Sequence, residues 1–324
     1  MLNIILPYLL FAIGLVMLIK GGDWFVDGAT GIAHRFHIPE IIIGATVVSI
    51  GTTLPEVMVS AGAAMTGHGD IAYGNAIGSI ICNTALISAI SITVKPSSVD
   101  KKTLIKPVIF FFVAAIYYAF VAYFLKSFTR IIGISLLLLF VIYMVFTIID
   151  AKKNMITIQK TDDESDEKSP LKDIILLIIG AVLIAVGARL LVDNGTKIAE
   201  SMGVPESVIA LTFVALGTSL PELVTAITSL RKGHGLLSLG NIVGANLFNL
   251  VLVSGTAITI NPFNLPDEKM FLGQNASLII DIPVMFLVML ILTLPAVLNG
   301  KLKRWQGITM LLIYSAFVAF QFFI

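Results

Sequence analysis

The chain has 324 residues, 57% of them hydrophobic and 13% charged, with a formal net charge of +1. A soluble domain is nearer one quarter charged, so this composition excludes an ordinary water-soluble globule. Lys and Arg scattered over many loops leave no basic patch for nucleic acid, and a single cysteine, Cys82, excludes an intrachain disulfide.

Apolar runs long enough to cross a bilayer core of about 20 residues predict ten spans, at 2–19, 40–65, 71–94, 107–125, 131–149, 173–195, 206–230, 236–259, 281–298 and 305–323. The opening MLNIILPYLL has neither a basic leader nor a small-residue cleavage site, so it reads as the first span and not as a removable signal. Cys82, inside the third apolar run, reads as a small buried hydrophobe.

Spans two and seven carry nearly the same hexapeptide, GTTLPE at 51–56 and GTSLPE at 217–222, at an offset of 166 residues (222 − 56). The same offset relates Asp27 to Asp193, Pro39 to Pro205, Asn75 to Asn241 and Asn83 to Asn249. With small gaps the match continues, Pro107-Val108 to Pro283-Val284 and Arg130…Gly133-Ile134 to Arg304…Gly307-Ile308. Each copy holds five spans, an odd number, so the second must cross the membrane in the opposite sense. The expectation is an all-α membrane protein of ten transmembrane helices in two inverted five-helix repeats. The first repeat is 1–150, the linker 151–172 and the second repeat 173–324, with helices 2 and 7 broken at their Gly and Pro residues.

Basic residues set the orientation. Sixteen lie on the side of Arg35, Lys106, Lys152 and Arg231, against five on the side of Lys126 and Lys197. Both termini should face outward and the linker the cytoplasm, in a cell or inner membrane. The linker holds an acidic cluster, Asp162, Asp163, Glu164, Asp166 and Glu167, without the spacing of an EF-hand loop; it reads as a solvated connection.

The chemistry concentrates at mid-membrane. Glu56 and Glu222 lie about 16 residues into their spans, where a carboxylate costs at least about 2.5 kcal/mol unless a partner or a wet cavity compensates. A structural carboxylate explains one such residue better than it explains two related copies. Pro55 and Pro221 have no N–H to offer the carbonyls of Gly51 and Gly217, so backbone oxygens are expected beside the oxygens of Thr52, Thr53 and Glu56, and of Thr218, Ser219 and Glu222. The third span of each half, GNAIGSIICN (74–83) and GNIVGANLFN (240–249), adds Ser79, Asn83 and Asn249. Its Gly-x-x-x-Gly spacings suit close helix packing. Asn75 and Asn241 could join the site, but capping or interhelical hydrogen bonding accounts for them at least as well. An all-oxygen set of this kind selects hard cations, Ca²⁺ or Na⁺. His68 and His234 sit in turns at opposite faces, Asp27 and Asp193 read as structural pairs near span ends, and Asp281 reads as a helix cap.

These paired motifs resemble the two alpha-repeats of the sodium/calcium exchanger family, at 44–88 and 210–254, within the Ca²⁺/cation antiporter superfamily. The resemblance implies an antiporter exchanging Na⁺ for Ca²⁺ by alternating access, electrogenic at three Na⁺ per Ca²⁺, and not an enzyme. It implies no cofactor beyond the transported ions, no partner beyond the lipid bilayer, no nucleic acid and no obligate protein partner. It implies ligands from Thr52, Thr53, Glu56, Ser79 and Asn83, and from Thr218, Ser219, Glu222 and Asn249. The backbone carbonyls of Ser49 and Ala215 would complete Na⁺ sites. Some relatives carry an acid where this chain has Asn249 and a hydroxyl where it has Ala245, which argues against the potassium-dependent branch. The nearest alternative is a proton-coupled Ca²⁺/cation antiporter using the same carboxylates. A passive channel would lack counterflow, and an intramembrane hydrolase is disfavoured because no span contains a His to activate a nucleophile.

Overall fold

A computed structural model describes residues 2–158, 170–203, 217–267 and 270–321. These are almost entirely helical: α1 (Leu2–Arg35), α2 (Glu40–Met65), α3 (Gly69–Val94), α4 (Lys101–Leu125), α5 (Arg130–Ile158), α6 (Pro170–Ser201), α7 (Leu220–Arg231), α8 (Gly235–Ile260), α9 (Ser277–Asn299) and α10 (Arg304–Gln321). Eight of them among the described residues, all but α7 and α10, are long and apolar enough to cross a membrane. The protein is a multi-pass, all-helical membrane protein.

Burial identifies the centre. The apolar window of α8 is 89% buried, against 22% for α1, α5 and α6. Side chains such as Ile5, Val16, Ile131, Leu138, Ile178 and Val182 point outward, as lipid-facing surfaces require. α1 and α6 lie side by side as a pair. A Cβ on Gly14 would meet the Gly187 carbonyl oxygen at 2.9 Å and one on Gly187 would meet that of Gly14 at 2.8 Å. Gly21 and Gly180 make the same exchange at 3.0 and 2.8 Å. No other residue permits so close a backbone approach.

Many contacts between the halves occur twice, with partners exchanged. The Arg130 guanidinium donates to the Thr259 carbonyl at 3.0 Å, and that of Arg304 to the Thr93 carbonyl at 2.9 Å. Two short antiparallel pairs clamp the ends of the bundle. β1 (Ser97–Ser98) lies on β6 (Lys301–Leu302), and β2 (Ser127–Phe128) on β3 (Phe263–Asn264). A local hairpin joins β4 (Met270–Phe271) to β5 (Gln274–Asn275). β1, β2, β3 and β6 belong to the segments that the sequence match relates, and each of their two pairings joins one half to the other.

Several expected boundaries move. The first span, expected at 2–19, is part of a helix that runs on to Arg35. Asp27, read as a structural pair near a span end, does pair, with Lys232 at 2.7 Å; Asp23 joins the same lysine at 3.7 Å, and the helix continues past both. α6 extends the expected 173–195 to 170–201. The expected break of helix 2 at Pro55 is not seen: the helix passes through Pro55, and its irregularity is a π-helical segment earlier, at Gly44–Val48. In the seventh span only the part from Gly217 lies within the described residues. There the chain turns at Thr218–Ser219 and Pro221 enters the first turn of α7, where a missing N–H costs nothing. Asp281 closes the π-helical first turn of α9 and accepts from Gln321 at 3.0 Å; it caps no helix. The linker's acidic cluster lies outside the described residues.

Candidate cation-binding site

The two GT[T/S]LPE motifs meet the third span of the opposite half at the centre of the bundle. α2 and α8 cross at glycine contact: a Cβ on Gly240 would lie 2.2 Å from the Ile41 carbonyl oxygen, and one on Gly244 2.3 Å from Ser49 Oγ. The Ser49 hydroxyl donates to the carbonyls of Gly44 (2.7 Å) and Asn241 (3.0 Å). Thr52 Oγ1 donates to Asn241 Oδ1 at 3.2 Å, and Thr218 Oγ1 to Asn75 Oδ1 at 3.4 Å. Thr52 and Thr218 are equivalent by the sequence offset, as are Asn75 and Asn241. Each LPE segment is therefore tied to the other half through the same pair of residue types. Asn75 also donates to Ser60 Oγ (2.8 Å) and the Glu56 carbonyl (3.3 Å), so both asparagines serve interhelical bonding, one of the readings given for them.

Inside this frame lie the carboxylates. Glu56 and Glu222 are each 0% exposed, and none of their four carboxyl oxygens has a hydrogen-bond partner. They are near enough for their charges to act on each other, and Glu222 stands beside Thr52. No basic side chain answers them: the ion pairs among the described residues join Arg35 to Asp173, Lys106 to Asp150, Arg189 to Asp193, Lys232 to Asp23 and Asp27, and His234 to Glu40. A charge buried without a partner costs several kcal/mol.

The oxygens around them are unpaired as well. Thr53 Oγ1, Ser219 Oγ, and both amide atoms of Asn83 and of Asn249 are buried without a partner. Most buried polar atoms find partners, so a cluster of orphan oxygens, two of them carboxylates, is arranged for something other than the protein itself. Asn83 and Asn249 each open a π-helical segment, Asn83–Ser88 and Asn249–Val253, a distortion frequent at functional sites. Ser79 is buried one turn before Asn83, and Cys82 lies beside Ser219, near both carboxylates. Ala215 lies outside the described residues. No group of three His, Cys, Asp or Glu assembles among them, so beyond two carboxylates the available donors are hydroxyl, amide and carbonyl oxygens. That chemistry suits hard cations.

Sequence reading missed three polar groups here. Asn246 donates to Thr84 Oγ1 at 2.7 Å and leaves its own Oδ1 unpaired, while Thr225 and Ser229 are buried with unpaired hydroxyls. None is repeated at the offset, where Ile80, Val59 and Ala63 stand, so a search for duplicated residues passes over them. The one available signal was a hydroxyl or amide in an apolar helix on the side of Glu222 or Asn249.

Comparison with known proteins follows the same lines. The chain is 36% identical over 311 residues to an uncharacterized membrane protein of Methanocaldococcus jannaschii, covering 95% of this chain and 96% of that one. It is 30% identical to the sodium/calcium exchanger MaX1 of Methanosarcina acetivorans, over 98% and 99% of the two chains. Among solved structures, the sodium-calcium exchanger NCX_Mj soaked with Na⁺ and Sr²⁺ superposes with a TM-score of 0.83 at 34% identity, covering 97% of this chain and 98% of that one. The relatives whose names give a function, MaX1 and NCX_Mj, are exchangers, that is, transporters and not enzymes. The sodium/calcium exchanger protein model matches residues 6–149 and 172–323, and the chain belongs to that family.

Proposed function

We propose that this protein is a secondary antiporter that exchanges Na⁺ for Ca²⁺ by alternating access, with Glu56 and Glu222 sharing the cation. The observation that carries the reading is the pair of fully buried carboxylates, four oxygens unpaired and, among the described residues, no basic side chain paired with them. Two ionised carboxylates are neutralised by one Ca²⁺ or by two Na⁺. Three Na⁺ would leave one positive charge, so each cycle would move one net charge, worth about 2.3 kcal/mol per 100 mV.

Around the carboxylates we assign Thr53, Ser79, Asn83, Ser219 and Asn249 as side-chain ligands. Thr52 and Thr218 present a lone pair while donating to their asparagines. The carbonyls of Ser49 and Ala215 complete the Na⁺ positions. Two inverted five-helix repeats, 1–150 and 173–324, frame this site, a reading supported by the contacts that recur with partners exchanged: Thr52–Asn241 with Thr218–Asn75, Arg130–Thr259 with Arg304–Thr93, and the two glycine contacts of α1 with α6. The termini face outward and the linker the cytoplasm, placing Arg35, Lys106 and Lys232 on the basic side.

The test is Ca²⁺ uptake into proteoliposomes loaded with Na⁺, with K⁺ absent from both sides. An outward Na⁺ gradient drives uptake and choline does not. Because Asn249 is not acidic, K⁺ adds nothing. Uptake driven by a pH gradient in choline assigns the protein to proton coupling instead, and a strict K⁺ requirement removes the role given to Asn249.

A further inference from the structure

Helix hydroxyls in this protein normally bond back to the carbonyl four residues earlier: Thr30 to Val26, Thr46 to Ile42, Ser88 to Thr84, Ser91 to Ile87, Thr147 to Tyr143 and Thr293 to Met289. Thr225 and Ser229 of α7 do not, although the carbonyls of Pro221 and Thr225 stand at that spacing. Both side chains are 0% exposed and their hydroxyls have no partner. A buried orphan hydroxyl is costly, so two in succession on one helix call for an explanation.

Their placement supplies one. At 100° and about 1.5 Å per residue, Glu222, Thr225 and Ser229 fall on one face, with the hydroxyls about 4.5 and 10.5 Å beyond the carboxylate along the axis. Val224 and Thr228 occupy another face, closing on Gly22 of α1. One residue past Ser229, Leu230 borders a cavity of about 20 Å³, room for one water, lined also by Ser88, Ser91, Lys95, Ser97 and Ser238. Thr225 and Ser229 thus step from Glu222 along α7 toward the cavity that Leu230 borders and the end of the helix that bears Arg231, with Lys232 next. The first half has no equivalent: beyond Glu56 the corresponding residues are Val59 and Ala63.

We propose that Thr225, Ser229 and this serine-lined cavity form the cytoplasmic passage for the transported cation, in which the hydroxyls replace water of hydration as the ion moves between Glu222 and the cytoplasm. The passage is sealed in the conformation described here and opens in the other. This rests on the exchanger reading of Glu222, but its main test does not require transport.

Cys82 is replaced by Ser so that an introduced thiol is the only one, and Thr225, Ser229 or Arg231 is changed to Cys. Sealed right-side-out and inside-out vesicles then receive a membrane-impermeant, positively charged thiol reagent. Arg231→Cys reports which face is which. Ser229→Cys is expected to label from that same face only, and Thr225→Cys more slowly from it. Labelling of Ser229→Cys from the opposite face, or from neither face while Arg231→Cys labels, overturns the passage. A second measurement keeps Cys82 intact. Thr225→Val with Ser229→Ala is expected to slow Ca²⁺ flux roughly tenfold, because two oxygens that coordinate the passing ion are lost, while the Ca²⁺-induced rise in Tm stays within twofold. Unchanged flux, or loss of the Tm response along with the flux, contradicts a passage distinct from the binding site. Failure of the exchanger reading shows separately, as absence of Na⁺-driven Ca²⁺ uptake by the unsubstituted protein.

Discussion

Glu222→Gln isolates one of the two charges assigned to the cation without changing the shape of the side chain. In the ion-bound protein the substitution leaves a divalent cation facing a single carboxylate in a site that is 0% exposed on both sides. Removing one partner of a buried ion pair costs about 3–5 kcal/mol, and at about 1.4 kcal/mol per decade the affinity for Ca²⁺ falls by two to three and a half orders of magnitude. In the ion-free protein the sign reverses. The two buried like charges become one, so the resting stability holds or rises. The two effects separate in a thermal-shift experiment on purified protein. At a Ca²⁺ concentration of about 100 Kd, binding stabilises the unsubstituted protein by about 2.7 kcal/mol; a 100-fold weaker variant gains about 0.4 kcal/mol at the same concentration. Glu222→Gln should therefore show a normal or raised Tm without Ca²⁺, little response to it, and no ⁴⁵Ca²⁺ uptake in proteoliposomes. Retention of more than half of the Ca²⁺-induced stabilisation, with uptake intact, would show that Glu222 is not a ligand.

Three further outcomes are expected. Thr52→Val and Thr218→Val each remove one hydrogen bond between the halves and should each cost about 0.5–1.5 kcal/mol; in double-mutant cycles each should couple to the asparagine it contacts, Asn241 or Asn75, and to neither of the other two residues. Gly240→Ala places a methyl 2.2 Å from the Ile41 carbonyl oxygen and should destabilise by about 1–3 kcal/mol through overpacking, read as a Tm loss; an unchanged Tm would mean that α2 and α8 are not in glycine contact. Asp100 caps α4, accepting from the Lys102 N–H at 3.2 Å and from the Thr103 hydroxyl, and that hydrogen bonding holds its carboxyl below the usual range. Its contribution is complete above the ordinary carboxylate pKa of about 3.9 and is lost as pH falls through its lower folded value. Asp100→Ala should thus cost about 1 kcal/mol at neutral pH, with the difference in Tm closing in acid; a gap that widens in acid contradicts this.

The site was legible where the chain repeats itself. Glu56 and Glu222 stood out because an apolar span does not carry a carboxylate at its middle twice without cause, and Thr53, Asn83, Ser219 and Asn249 came with them. What lacks a repeated copy stayed hidden: Asn246, Thr225 and Ser229 carry buried, unpaired polar atoms that no duplicated motif marks. Backbone irregularity was read from Pro55, yet the distortion in that helix is the π-helical turn at Gly44–Val48. The turn lies where α2 crosses α8 at glycine distance, a Cβ on Gly44 falling 2.4 Å from the Leu237 carbonyl oxygen. Helix ends were misjudged where charges find distant partners. Asp23 and Asp27 look like the edge of a membrane span until Lys232, more than two hundred positions later, is folded against them.

The reciprocal glycine contacts of α1 and α6 have a thermodynamic consequence. Two helices joined backbone to backbone cannot slide independently, so in the proposed alternating access their motion against the bundle would reduce to one shared coordinate. If the proposed repeats are related by an axis through that contact, displacement one way along the coordinate is nearly the mirror of displacement the other way, and the two end states differ little in intrinsic free energy. Near such a balance, a bias of about 1.4 kcal/mol shifts the population ratio tenfold. Ions that favour one end by no more than a few kcal/mol then decide which side of the membrane the protein faces.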